Sequence, residues 1–178
     1  MRILVAITGA SGLEYGRRLV EILKAEKGVE ASLIVSSGAK MVAKEEGTAL
    51  PEEDYGEMDF RCPYASGSNP PDSMVVIPCS LKTLGEIANG VGNSLVTRAA
   101  EVALKERKKL ILVVRETPYS LITIRNMESV TLAGAVVLPA CPGFYGKPKK
   151  VDDLIDFIVA RVLDQLGIEN SVSKRWKG

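Results

Sequence analysis

The sequence predicts one α/β domain built on a parallel sheet, and three observations carry that expectation. Five apolar runs, Ile3–Ile7, Ala31–Val35, Met74–Ile77, Leu110–Val114 and Ala135–Leu138, each stop at a short turn of glycine, serine or charge. The segments between them have helical period, so strands and helices alternate as in βαβ units. The turns that follow the runs are Gly9-Ala10-Ser11-Gly12, Ser36-Ser37-Gly38, Cys79-Ser80-Leu81-Lys82-Thr83, Arg115-Glu116-Thr117 and Pro142-Gly143-Phe144-Tyr145. Parallel strands carry all these turns to one edge, where open α/β sheets bind ligands. Their hydroxyls, backbone N–H groups and cations suit a phosphorylated ligand.

Taken in order, Leu13–Ala25 sets Leu13, Leu19, Val20, Ile22 and Leu23 among charges, an amphipathic helix ended by Lys27-Gly28. A second helix is expected over Ala39–Glu46. The stretch from Gly47 to Ser73 holds Pro51, Pro63, Pro70 and Pro71 and the run Ala65-Ser66-Gly67-Ser68. A connection this long inside a compact domain is usually functional or an interface; a short strand is expected within it at Met58–Cys62. Leu84–Ala88 and Asn93–Glu106 read as two helices split by Asn89-Gly90-Val91-Gly92, and Ser120–Val130 as another with Ser120 as its N-cap. Val151–Leu166 carries Leu154, Ile155, Ile158, Val159, Val162, Leu163 and Leu166 at helical spacing. The remaining 167–178 segment is polar and reads as a loose tail, apart from the only tryptophan, Trp176. The expected division is therefore a ligand-binding domain over 1–166 and a tail over 167–178.

A chain of 178 residues that is 46% hydrophobic buries one full core and is short for two domains. Its 23 Lys and Arg against 22 Asp and Glu give no general pull toward nucleic acid or an anionic membrane. No apolar stretch approaches a membrane span, and Met1-Arg2-Ile3 runs straight into a strand, so a cytoplasmic location is expected. Cys62, Cys79 and Cys141 are odd in number and lack a C-x-x-C pairing, so they read as small buried hydrophobes and not as a disulfide framework or zinc site. Histidine is absent, which leaves proton transfer to Glu, Lys, Tyr or Ser.

Each motif has a plain reading beside the chemical one. Gly9-Ala10-Ser11-Gly12 is either an anion-binding turn at a helix N-terminus or a tight βα turn with Ser11 capping the helix. It matches neither the dinucleotide fingerprint nor the P-loop pattern, which leaves a mononucleotide open. Ser36 and the Ser80–Thr83 turn are ordinary caps taken singly; their convergence at neighbouring strand ends favours a ligand. Arg98 and Lys105 share a helix face with Glu101 between them and read locally as a solvated ion-pair ladder. Arg115-Glu116 directly follows an apolar strand, where the Arg can hold phosphate through a bidentate fork and the Glu can exchange a proton. Tyr145 reads equally as packing, and Arg161 as an arginine snorkelling from an apolar helix.

Together these segments closely resemble the UbiX/phenylacrylic acid decarboxylase-type flavin prenyltransferases over nearly the whole chain. The resemblance rests on Ile7-Thr8-Gly9-Ala10-Ser11-Gly12, Ala65-Ser66-Gly67-Ser68, Pro78-Cys79-Ser80, the run from Arg98 to Arg107, Arg115-Glu116 and Pro142-Gly143-Phe144-Tyr145, in that order. It implies a Rossmann-like (flavodoxin-like) three-layer fold, assembled as a dodecamer with sites at subunit interfaces. The activity implied is metal-independent transfer of a dimethylallyl group from dimethylallyl phosphate to N5 and C6 of reduced FMN, and the product serves a UbiD-type decarboxylase. By the same resemblance Gly9, Ala10, Ser11, Ser36, Ser80, Leu81, Lys82, Thr83 and Arg115 are FMN contacts. Ser66, Arg98, Lys105, Glu116, Tyr145 and Arg161 surround dimethylallyl phosphate, which replaces the ladder reading of Arg98 and Lys105. Glu46 matches a carboxylate near flavin N5 and would steer the N5 proton together with Ser11, and Trp176 matches an aromatic that covers the prenyl pocket. Thr123 stands where relatives often carry a histidine. Two other readings remain: an FMN-dependent cysteine-type decarboxylase, whose histidine and Pro-x-Met-Asn signature are missing here, and a non-catalytic FMN-binding electron carrier, which leaves the cations without a role.

Overall fold

In the computed structural model, which describes residues 1–176, six parallel strands form one sheet. They are β1 (Arg2–Ile7), β2 (Glu30–Val35), β3 (Tyr55–Gly56), β4 (Ser73–Cys79), β5 (Lys109–Val114) and β6 (Val136–Val137). Between and after them run α1 (Leu13–Ala25), α2 (Ser37–Glu46), α3 (Leu81–Ala88), α4 (Leu95–Lys105), α5 (Leu121–Leu132) and α6 (Val151–Leu166). The continuous apolar runs arise because the central strands are covered on both faces, so both sets of alternating side chains must be apolar. Ile3, Val5 and Ile7 of β1 pack with α1, α2 and α6, whereas Leu4 and Ala6 pack with α3 and α4. Three layers result. Gly16 brings α1 down onto the sheet, where a Cβ would collide with the Ile77 carbonyl oxygen.

The strand order β3-β2-β1-β4-β5-β6 reverses direction between β1 and β4. This is the doubly wound Rossmann order, and without the two-residue β3 it is the flavodoxin-like one. The reversal opens a crevice at the carboxyl ends of β1 and β4, which fixes the place of the site.

Several boundaries differ from the sequence reading. Met58–Cys62 is not a strand: Asp59 N, Phe60 N and Cys62 N donate to Gly56 O, Met58 O and Asp59 O in successive turns. The Asp59 carboxylate also accepts from Arg61 N, a side-chain bond that competes with extended pairing. The edge strand lies earlier, at β3, beside Asp54, whose carboxylate accepts from Leu33 N at 2.8 Å. The helices α2 and α3 begin ahead of the expected Ala39 and Leu84, because Ser36 and Ser80 cap them directly at the strand ends. Ser11 does not cap α1; Gly12 does, at φ +89° and with no side-chain bond, and Ser11 is exposed. Cys62 and Cys79 are buried as expected, and burial pushes the Cys79 thiol up to about 12, but Cys141 is exposed in the loop after β6.

The tail is tied down. Gly167 turns the chain at φ +76°, and Arg175 grips Asp164 through two bonds of 2.6 Å. Lys177 and Gly178, the end of the predicted tail, lie outside the described residues. Among the described residues no helix is long and apolar enough to cross a membrane, and no group of three or more His, Cys, Asp or Glu could hold a metal ion.

Candidate active site

The crevice at the β1/β4 reversal is a cleft of about 400 Å³ lined by the turns after β1, β2, β4 and β5. Two helices point their N-termini into it. Ser36 Oγ accepts from Ala39 N at 3.1 Å and Ser80 Oγ from Thr83 N at 3.2 Å, leaving further first-turn amides of α2 and α3 toward the opening. Such helix ends favour an anion. Gly9 and Gly38 form the floor in direct backbone contact: a Cβ on Gly9 would stand 2.9 Å from the Gly38 carbonyl carbon. Ala10 is buried, and its amide donates to Thr8 O at 2.8 Å, which closes the tight turn after β1.

Arg115 directly follows β5, next to the cleft-lining Glu116, its amide donating to Cys79 O. Its Nε is buried and has no hydrogen-bond partner among the described residues. A buried, charged donor without an acceptor is costly, and a phosphate oxygen would satisfy it. Glu116 lines the cleft and accepts from Thr117 N at 2.9 Å. Leu81 and Lys82 line it through the first turn of α3, while the Lys82 ammonium reaches Glu86 at 3.0 Å. Capped helix ends, hydroxyls and an unpartnered guanidinium nitrogen form a donor set that fits an anionic mononucleotide.

The other predicted residues stand in separate places. Arg98 is one turn into α4, donating from Nε to Ala65 O at 3.0 Å and from Nη1 to Glu101 at 2.9 Å, which ties it to the Ser66 loop. Lys105, the last residue of α4, lies over Gly67 and pairs with Glu106, not with Glu101 as the ladder reading had it. Tyr145, Arg161 and Trp176 form a third group around a pocket of about 240 Å³. Tyr145 meets Trp176 edge to face at 5.5 Å and Phe157 at 5.8 Å, and Arg161 donates to Asp164 at 2.8 Å. Glu46 is exposed at the far end of α2, about 15 Å along the helix from Ser36. One chain thus gathers Gly9, Ser36, Ser80 to Thr83 and Glu116 in the cleft, and leaves the expected leaving-group cations on other surfaces.

Residues 1–163 match the family described as Flavoprotein. The flavin prenyltransferase UbiX of Methanocaldococcus jannaschii is 49% identical over 183 residues, covering 99% of this chain and 98% of its own. This chain belongs to the UbiX-type flavin prenyltransferase family. A crystal structure of AnUbiX (PadA1) in complex with FMN and dimethylallyl pyrophosphate is 42% identical with a TM-score of 0.94, covering 99% of this chain and 97% of its own. A dodecameric FMN-dependent UbiX-like decarboxylase from Escherichia coli O157:H7 is 39% identical with a TM-score of 0.93, over the whole of both chains.

Two cleft residues of this flavin prenyltransferase family member escaped the sequence reading. Thr8 is 1% exposed and bonded across the β1/β4 reversal. Glu57 accepts from Ser37 N at 2.6 Å through its carboxylate and from Leu95 N at 2.7 Å through its carbonyl, linking the starts of α2 and α4. Thr8 directly follows an apolar run, which is a usable signal; Glu57 sits in the proline-rich connection with none. Outside the cleft, α5 turns Leu121, Ile122, Ile124 and Leu132 outward, with Ile122 73% and Leu132 82% exposed. An apolar face of this kind marks an interaction surface.

Proposed function

We propose that this chain transfers the dimethylallyl group of dimethylallyl phosphate to N5 and C6 of reduced FMN, giving prenylated FMN. The observation that carries the reading is the buried, unpartnered Arg115 Nε beside a cleft walled by two serine-capped helix ends, in a chain of this family. Reduced FMN supplies the nucleophilic N5 and C6. Gly9, Ala10 and Ser11 with Ser36, the Ser80–Thr83 turn and Arg115 hold and orient it. Departure of phosphate from an allylic carbon places negative charge on oxygen, which Arg98, Lys105 and Arg161 stabilise, with Ser66 and Tyr145 adding hydrogen bonds. Glu116 gives its proton to the departing phosphate. The positive charge left on the prenyl group is tolerated by aromatic faces, among them Trp176 on the tail. Ser11 and Glu46 steer the proton that leaves flavin N5. Fixed cations take the part a metal ion plays in other prenyl transfers, so turnover needs no metal.

These residues meet only if neighbouring copies bring the α4 and tail groups, and Glu46, to the cleft. The chain therefore works as a homo-oligomer, a dodecamer as in its relative, with the apolar face of α5 covered between copies. The product passes to a UbiD-type decarboxylase. The chain's free cysteines suit the reducing cytoplasm.

The test is an anaerobic titration of FMN-loaded protein with dimethylallyl phosphate or diphosphate after reduction, in the presence of EDTA. The flavin spectrum changes irreversibly with one donor. A spectrum that returns to that of FMN on reoxidation makes the protein an electron carrier instead.

A further inference from the structure

Three helices of this chain begin with the same pattern, Ser-Leu-x-Thr: Ser80-Leu81-Lys82-Thr83 at α3, Ser94-Leu95-Val96-Thr97 at α4 and Ser120-Leu121-Ile122-Thr123 at α5. In each the serine Oγ accepts from the threonine amide, at 3.2 Å, 3.3 Å and 3.2 Å. The α4 cap is closed in both directions. Ser94 N donates to Thr97 Oγ1 at 3.2 Å, and the Thr97 hydroxyl donates to Ser94 O at 3.2 Å. This is a reciprocal capping box that engages the threonine completely.

Neither the α3 cap nor the α5 cap closes in this way; at α5 Ser120 Oγ and Thr123 Oγ1 share one bond of 3.1 Å, and at α3 the serine amide is taken by Thr8. Ser80 N donates to Thr8 Oγ1 at 2.9 Å, not to Thr83. The Thr8 hydroxyl proton goes to Pro78 O at 2.7 Å, so the Thr8 oxygen faces Ser80 N as an acceptor. Ser80 Oγ then donates to Thr83 Oγ1 at 3.0 Å. The Ser80 hydroxyl has thereby used its single proton. Thr83 Oγ1 receives one proton and keeps its own without an acceptor among the described residues, on a side chain that lines the cleft.

We propose that Thr8 is a positioning residue for the flavin: by taking the Ser80 amide it keeps the α3 cap from closing on itself and leaves the Thr83 hydroxyl as a donor to a flavin oxygen. The inference rests on the cleft being the FMN site. It also divides the Ser80–Thr83 turn by role, with Ser80 acting inside the protein and Thr83 facing the ligand.

The experiment is a double-mutant cycle on FMN affinity, followed by fluorescence quenching in the full-length protein. Thr8→Val and Thr83→Val each weaken FMN binding about 3- to 10-fold, the range for one net hydrogen bond. The double variant binds within about 2-fold of the weaker single variant, because both changes remove the same donor. Thr8→Ser restores binding. Thr97→Val, which deletes an equally buried hydroxyl from the closed α4 cap, lowers the melting temperature and leaves FMN affinity unchanged. If Thr8→Val does not fold, Thr8→Ala takes its place in the cycle. Multiplying losses in the double variant, or wild-type affinity in Thr83→Val, overturn the proposal. Failure of the wild-type protein to bind FMN overturns the flavin reading itself. Repeating the cycle with riboflavin identifies the acceptor: a persisting loss places it on the ring or ribityl chain, and a vanished loss on the phosphate.

Discussion

The strand-edge cleft and the cations of α4 and α6 are built in different ways. At the back of the cleft Thr8 makes buried bonds to residues far away in sequence, linking β1 to Pro78 and Ser80. Outside it, Arg98, Lys105 and Arg161 pair with carboxylates close by in their own segments, Glu101, Glu106 and Asp164, and only the half-buried Arg98 also reaches a distant carbonyl, Ala65 O. Exposed pairs of this kind contribute about 0 to 1 kcal/mol and exchange partners readily. Under the proposed function, the flavin cradle is completed by folding, whereas the charge that receives the leaving phosphate is completed by assembly. On that proposal the cations, paired at the surface, turn toward a ligand held by a second chain.

The sharpest way to separate the two regions is Glu116→Gln, which keeps size and hydrogen bonding and removes the ionisable proton. Turnover is expected to fall about 10²- to 10⁴-fold, the range for one positioned proton donor, while FMN affinity persists. A loss confined to FMN affinity would move Glu116 into the cradle. Next in size, Gly9→Val forces a side chain into the Gly38 backbone. FMN affinity should drop about 10- to 100-fold by fluorescence quenching, as overpacking of a fitted contact implies, with the oligomer intact by light scattering. An unchanged affinity would mean that the cradle is not preformed.

On the assembly side, Ile122→Asp places a charge on the exposed apolar face of α5. Sedimentation should show smaller particles that keep FMN but lose turnover. Undiminished assembly would assign that face to another partner. The smallest effect concerns the tail. Arg175, hydrogen-bonded to Asp164, holds that carboxyl below its ordinary value of 3.8, with Asn170 and Arg161 helping against the opposing effect of burial. A depressed carboxyl pKa contributes stability above the ordinary value and loses it as pH falls through the depressed one. Emission from Trp176, the only tryptophan, should therefore stay constant down to that range and then change as the tail detaches, ahead of helix loss by circular dichroism. Coincident transitions would mean that the tail contact has no stability of its own.

Much of the fold was legible because a few residues determine it. Leu13–Ala25 and Val151–Leu166 match their helices to the residue, since their apolar stripes end at glycine or charge. The starts of α2 and α3 were misplaced because serine caps begin a helix before any apolar period becomes visible. Met58–Cys62 failed because the Asp54 and Asp59 carboxylates settle the local pairing, and no propensity records that. The strand-end turns of the cleft were legible from topology alone. Glu57 was not, because its partner Ser37 lies 20 residues away, and Thr8, bonded 70 or more residues away, was marked only by its place directly after an apolar run. Arg98 and Lys105 read locally as a solvated face, and within one chain they are largely that; only the family pattern marked them.

If cradle and cations from different copies make one site, mixing two impaired variants restores it. Gly9→Val lacks a working cradle and Arg161→Met lacks a leaving-group cation, yet each keeps the other half. Dissociated and reassembled together, they should regain a substantial fraction of anaerobic prenyl transfer, read by mass spectrometry as FMN heavier by one prenyl unit. Mixed oligomers that form fully and remain as inactive as either parent would contradict the account and return the whole site to a single chain.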